Sequence, residues 1–564
     1  MNRWVSWMCV SVLAVLSALP APGFPIVSIL LACAAWACVL RIVAGRSAKL
    51  RAGPLAAASW AARDDAAVLA APGPFILGWW GRARTPLYLS EEQLSGHVLV
   101  LGPSRSGKTA GAFAPNILLR DPERESIVVL DVKTGPRSLW NVTAGRYAQR
   151  AHLFCPLLEG SVPYNPLEEI DTIGAAQRKA WLLVHNTTPR DLSGDARVYV
   201  SAAADLATLL FLHVQQDRAD GGHTVAACYR LLRGGIGAVR EALRGSRIAA
   251  AREQAGTFAA RERRVQEAAV TGLLERLAPW ADPIVSAATS RHWDFAALGR
   301  DPEALYILLP EADAGRLQPL VAWLVADLLD GLIEQADRCG LRCPVRMYLD
   351  EFTRFGYLAG LSDRLPTLRE RRVSLVLGAQ VISQIEDVYG VRGARTLVGN
   401  TETKLLFRPG DLETARMVSA WLGRTSVPAV SVTTRGRGAR SVTVHPYVRA
   451  LAPVEDVTRM PDGAVIALTG ASRPLALRQA RYFEHAAFQV TPPPFPLRRR
   501  EAPRIAPAAP APTRSPRFGR TPPPRPAGGV SPGTAGDPGG LTNSGKRRPR
   551  GAADTLPGPG AAGI

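Results

Sequence analysis

His97-Val98-Leu99-Val100-Leu101-Gly102-Pro103-Ser104-Arg105-Ser106-Gly107-Lys108-Thr109 is the stretch on which the fold turns. His97–Leu101 is a short continuous apolar run, the pattern of a strand buried on both faces. Gly102 to Thr109 then spells G-x-x-x-x-G-K-T between that strand and a helix, the context a phosphate loop requires. Gly102 and Gly107 let the backbone curl, so that the N–H groups of the Ser104, Arg105 and Ser106 segment face an anion. Lys108 brings a point charge to the β- and γ-phosphates, and the Thr109 hydroxyl is a candidate magnesium ligand. The expected cofactors are therefore ATP and Mg2+.

A phosphate loop needs a carboxylate at the end of another buried strand. Val345–Leu349 followed by Asp350-Glu351 supplies it. Asp350 is the candidate for the magnesium shell, and Glu351 for orienting and deprotonating the attacking water. Asp131, after the apolar run Ile127–Leu130, is a second strand-end acid; with Lys133 it reads equally as a structural ion pair. A further run, Val373–Ala379, ends in Gln380, whose amide could touch a γ-phosphate or simply bond to backbone. Upstream, Arg369, Arg371 and Arg372 form a basic cluster, either a solvated face or the source of an arginine finger for a neighbouring subunit.

Outward from these motifs the chain divides. Strand-like runs also occur at Leu305–Leu309, Ser374–Leu377, Lys404–Phe407 and Val465–Leu468. Between about 171 and 300 they disappear, and runs such as Val198–Val214 and Arg261–Leu277 carry helical periodicity. Thr425–Tyr447 alternates Val with Ser/Thr around Arg435-Gly436-Arg437-Gly438, a hairpin pattern with a basic tip. At the amino end, Trp4–Leu19 and Phe24–Leu40 are apolar and separated by Pro20-Ala21-Pro22-Gly23. Each is close to the lower limit for a spanning helix, roughly 17 residues. Arg3 precedes them and Arg41, Arg46, Lys49 and Arg51 follow, which places both ends in the cytoplasm. A cleaved signal peptide ending near Ala18–Ala21 is the rival, and it would strand a nucleotide site outside the cell.

The expected plan is thus a transmembrane hairpin over 1–45 and a linker over 46–90. A nucleotide-binding α/β domain follows in two parts, 91–170 and 301–490, interrupted by an all-α domain over 171–300. A Pro/Arg-rich tail over 491–564 has too few large aliphatics to fold and is expected to be disordered. The formal net charge of +20 points to a polyanionic partner, although the tail carries roughly half of the excess. The seven cysteines show no metal-like or disulfide-like spacing, which suits a reducing compartment.

These residues resemble the conjugative coupling ATPases of type IV secretion systems, the TraG/TraD-like family, over most of residues 90–485. The resemblance runs from His97–Lys108 through Pro115 and Leu118-Leu119 to Ser126–Lys133 and Asn165-Pro166-Leu167. It is densest in Leu349-Asp350-Glu351-Phe352, Phe355-Gly356, Arg369, Gln380, Tyr389-Gly390, Asn400 and Asp411–Ala415. Where the family usually continues Lys-Gly-Glu, this chain has Lys133-Thr134-Gly135-Pro136. The resemblance implies a RecA-like core, Gln380 as hydrolysis sensor and Arg369 as the finger. It further implies a homo-hexamer embedded in the inner membrane with its motor in the cytoplasm. DNA would be held by sequence-independent backbone contacts, and relaxase or effector proteins and the secretion-channel proteins would be its partners. Two other readings are an FtsK-type DNA translocase, which should end in a winged-helix DNA reader, and a docking receptor that uses ATP only to assemble.

Overall fold

The computed structural model describes residues 57–501, apart from 189–193, 436–438, 471 and 487. The apolar runs of 1–45, the tail beyond 501 and the tip of the hairpin lie outside the described residues.

Eleven strands form one mixed sheet in the order β2-β1-β13-β12-β9-β3-β8-β7-β4-β6-β5. Its middle is parallel: β9 (Thr403–Phe407), β3 (Val98–Leu101), β8 (Val373–Ala379), β7 (Val345–Leu349), β4 (Ser126–Asp131), β6 (Ala304–Leu308) and β5 (Ala151–Phe154). These strands are apolar on both faces because helices cover both sides, and β3, β4, β6, β7 and β8 are buried throughout. Parallel pairing brings their carboxyl ends to one edge, which is where ligands bind in sheets of this kind.

An antiparallel flank extends the sheet beyond β9 through β12 (Ala464–Thr469), β13 (Leu475–Arg478), β1 (Phe75–Trp80) and β2 (Thr85–Leu89). The expected linker over 46–90 is therefore corrected, since residues 75–89 are sheet. Phe75, Ile76, Leu77, Leu87 and Leu89 are all buried, so this apolar segment gains more by pairing than by remaining a connector. Asn116, in the helix Ala114–Leu118, accepts from the Ile76 amide at 2.7 Å and donates to its carbonyl at 3.0 Å, fastening β1 to the phosphate-loop helix.

Between β5 and β6 the named elements are all helical, from Ile173–Asn186 to Ala297–Arg300. The helix Gly194–Val214 lies at the centre of this region. Within Ala196–Asp220 it is long and apolar enough to cross a membrane, but 61% of its most apolar window is buried inside the protein. The helical region is tied to the helix Ala314–Cys339 by Lys179, which pairs with Asp327 and, at 3.3 Å, with Glu169. Tyr164 donates to the same Asp327 at 3.0 Å.

The twelve-residue strands β10 (Arg424–Arg435) and β11 (Ala439–Ala450) form the separate hairpin that the Val–Ser/Thr alternation predicts. The expectation of disorder from residue 491 is corrected for 491–501. Phe495 packs on Trp140 with ring centroids 4.9 Å apart, and Glu159 and Arg500 amides donate to the carbonyls of Arg498 and Leu157, each at 2.9 Å. Composition missed this strap because its partners are backbone groups distant in sequence.

Candidate nucleotide site

The site sits where β3, β7 and β8 end. β3 runs into the loop Gly102–Lys108, and a π-helical turn, Thr109–Phe113, opens the following helix. Arg105 (φ 65°) and Gly107 (φ 96°) adopt left-handed backbone, which wraps the loop into a cup. Gly107 has a second reason to lack a side chain: a Cβ there would collide with Gln479 Oε1. Lys108 is buried, and its ammonium donates to the carbonyl of Gly102 and, at 3.3 Å, to that of Pro103. Burial lowers its pKa, while the Asp350 and Glu351 carboxylates oppose that shift.

β7 delivers Asp350 beside the loop. The Thr109 hydroxyl donates to Asp350 Oδ2 at 2.6 Å, so the two candidate magnesium ligands already touch. The Lys133 ammonium lies over both, 3.1 Å from Thr109 Oγ1 and 3.3 Å from Asp350 Oδ2. Burial acts against its charge, but Asp350, Asp131 and Glu351 outweigh it and raise its pKa. Two buried oxygens here have no partner, Ser106 Oγ and Asp350 Oδ1. Buried polar atoms are nearly always bonded, so Ser106 Oγ suits a phosphate and Asp350 Oδ1 a divalent cation.

Glu351 follows at φ 55°, an uncommon conformation for a residue with a side chain. The turn re-aims the carboxylate relative to Asp350, and it forms a loose ion pair with Arg354 at 3.6 Å. Gln380 directly follows β8 next to the loop, because the Gly102 amide donates to the Ala379 carbonyl at 3.2 Å. Its amide N–H donates to Gln384 Oε1 at 3.3 Å. Asp131 is buried and its pKa is raised to about 6, by burial first and by Asp350 second. It accepts from the amides of Lys133 at 3.0 Å and Leu139 at 2.8 Å, which makes it the anchor of the 132–138 loop.

Arg369 is not brought to this cluster. It precedes β8 while Gln380 follows it, and a seven-residue strand separates the two ends by about 20 Å. Arg369 is half-exposed and pairs with Glu402 at 3.2 Å.

Residues 54–501 match the family described as type IV secretory system conjugative DNA transfer. The chain belongs to that family. Among relatives in this conjugative DNA-transfer family, the conjugal transfer protein TraG of Escherichia coli is 29% identical over 429 residues, covering 69% of this chain and 66% of its own. Protein VirD4 of Rhizobium radiobacter is 24% identical over 422 residues, covering 72% and 60%. The chain thus spans less than two thirds of the length of these relatives. Two solved structures share the fold. Plasmid coupling protein TrwB in complex with ADP and Mg2+ has a TM-score of 0.55 at 18% identity, covering 72% of this chain and 89% of that one. Its complex with a non-hydrolysable ATP analogue has a TM-score of 0.57 at 17% identity, covering 75% and 93%.

Two contacts of the site were not legible in the sequence. An ion pair of Lys133 with Asp131 is one of the two sequence readings of that acid, yet the Lys133 ammonium meets Asp350 and Thr109. Gln479, some 370 residues from the loop, donates to the Ser106 carbonyl at 3.0 Å. No local motif announces either one.

Proposed function

We propose that this chain is a membrane-anchored, ATP-driven coupling protein that moves DNA, alone or with a bound relaxase or effector, into a type IV secretion channel. The observation that carries the proposal is the Thr109–Asp350 contact beside Lys108, with Ser106 Oγ and Asp350 Oδ1 both unsatisfied, in a chain of this family.

Lys108 swings from the loop carbonyls to the β- and γ-phosphates, and the loop amides hold the same oxygens. Thr109 and Asp350 would hold the magnesium, which would supply positive charge against the charge that develops on the phosphates. Glu351 orients a water in line with the γ-phosphorus and accepts its proton. Gln380 contacts the γ-phosphate and reports its loss along β8. Arg369 acts on the nucleotide of a neighbouring subunit, a reading supported by its distance from its own chain's site at the far end of β8. A ring of six subunits supplies such interfaces, and basic loops of the ring follow the DNA backbone without reading bases. The helical region between β5 and β6 acts as the all-α domain that receives substrate. The apolar runs of 1–45 anchor the ring as a hairpin in the inner membrane, with the flanking arginines inside.

The test is ATP turnover by the full chain with and without single-stranded DNA. Stimulation by DNA of any sequence, weakening with salt, is expected. Turnover indifferent to DNA at every salt concentration would replace the motor with a docking receptor.

A further inference from the structure

The edge of the sheet opposite the phosphate loop carries two features that the nucleotide site does not use, and they meet. β9 is parallel to β3, β12 antiparallel to β9, and β13 antiparallel to β12, so β13 begins at that opposite edge. The Ala61 amide donates there, to the Pro474 carbonyl at 2.8 Å just ahead of β13. Ala57, at the start of the described chain, bridges Thr425, and the Ala58 amide donates to the Arg424 carbonyl at 3.0 Å. The root of the β10–β11 ribbon therefore lies beside the segment that arrives from the apolar runs. Sixteen residues separate Ala57 from Leu40, no more than about 60 Å of extended chain. Twelve-residue strands make a ribbon about 40 Å long.

The register sorts this ribbon into two unlike faces, because directly paired positions share a face and successive pairs alternate. One face takes Pro428 with Pro446, Val430 with Val444 and Val432 with Val442. The other takes Ser431 with Thr443 and Thr433 with Ser441. A two-stranded ribbon is marginal in water by itself, and an apolar face needs cover. The helix Leu412–Leu422 meets β11, yet Val430 stays 60% exposed. The opposed prolines leave both edges without an amide donor at their level, which disfavours a further strand from another chain. Residues 424–450 hold five arginines and no Asp or Glu, and residues 1–63 hold no acid either. An apolar face with uncompensated positive charge suits an anionic lipid surface. DNA would answer the charge but leave the valines uncovered.

We propose that the apolar face of the β10–β11 ribbon lies on the membrane at the level of anionic lipid headgroups, turning this edge of the motor toward the bilayer. The inference rests on the reading of residues 1–45 as a membrane anchor.

The experiment places the photoreactive p-benzoylphenylalanine in the full chain, as Val430→p-benzoylphenylalanine or, on the other face, Ser431→p-benzoylphenylalanine. Both positions are exposed, so neither change disturbs packed core. In vesicles containing phosphatidylglycerol, illumination should attach lipid to the Val430 variant at least about fivefold more than to the Ser431 variant. Replacing that lipid with phosphatidylcholine should cut the yield at least about threefold. Adducts of two chains, or adducts with added single-stranded DNA, in place of lipid would overturn the proposal. So would equal lipid yields from the two faces, or a yield indifferent to lipid charge. An alkaline carbonate wash tests the anchor separately. A chain that stays in the vesicles without lipid adducts at position 430 removes the ribbon inference alone. A chain that washes off removes the anchor reading and this inference with it.

Discussion

Thr109, Asp350 and Lys133 form a small electrostatic device. Asp350 is buried beside Asp131, and two carboxylates so placed need a cation near them. In the present arrangement the Lys133 ammonium fills that role, on the oxygens proposed for magnesium. Loading the metal must displace it. Lys133→Met should therefore lower the melting temperature by about one degree (roughly 1 kcal/mol, given a side chain partly open to solvent) without metal. The deficit should narrow with Mg2+ and ADP, when the metal takes over the carboxylate. A deficit of the same size under both conditions, read by thermal unfolding, would end this account. Glu351 supports a second prediction at this scale. Glu351→Gln should bind ATP with the parent's affinity and lose at least about a hundredfold in turnover, since a general base contributes typically 10²–10⁴. Lys108→Ala should instead weaken binding itself. Wild-type turnover in Glu351→Gln would assign the base elsewhere.

At the scale of elements, β3 is held from outside its own run. The apolar run begins at His97, but the strand begins at Val98 and His97 sits at φ 63°. Its ring is a buried bridge: one nitrogen meets the Leu365 carbonyl at 2.7 Å in the helix Leu361–Glu370, the other accepts from the Leu375 amide of β8 at 3.1 Å. These contacts require a neutral ring protonated on the first nitrogen. Burial, with the Arg369 charge adding to it, lowers the His97 pKa to about 4. The unfolded chain takes up this proton near its ordinary value of 6.5, the folded chain only near 4. The ring therefore contributes stability above pH 6.5 that is lost as pH falls toward 4, on the order of 3 kcal/mol in total. His97→Asn tolerates the left-handed backbone and carries no titrating group. It should be less stable than the parent at neutral pH and show a shallower loss on acidification. Parallel stability–pH curves for the two proteins between pH 6.5 and 4.5 would show that His97 is not the group responsible.

For the whole molecule, the placement of Arg369 makes the strongest demand. Under the proposed assignment of Arg369 as a finger, its place at the other end of β8 from the nucleotide leaves it only a neighbouring chain's site to serve. Mixing Arg369→Ala chains with Lys108→Ala chains should restore part of the lost turnover, because some interfaces then hold an intact loop opposite an intact arginine. The measurement is ATP hydrolysis across mixing ratios, with ring assembly checked by sedimentation. Turnover no higher than the sum of the two inactive proteins, in assembled rings, would remove Arg369 from the reaction. The same scale explains the strap of residues 491–501. Phe495 on Trp140 and the Leu157–Glu159 backbone pairing return the chain across the body before it enters its Pro/Arg-rich end.

The sequence by itself determined six of the seven parallel strands (all but β5), the phosphate loop, the Asp350-Glu351 pair and the helical stretch before β6. Each is written in a local period or a short motif, because apolar continuity, a glycine-framed turn and helical spacing act over neighbouring residues. Only the tertiary structure decided that 75–89 completes the sheet, that 491–501 is docked, and that Lys133 and Gln479 enter the site. It also decided that Arg369 does not enter. Those outcomes depend on which strand lies beside which and on which end of a strand a residue occupies. Pairing across hundreds of residues is chosen by the summed burial of the whole sheet, and no window of sequence contains that sum.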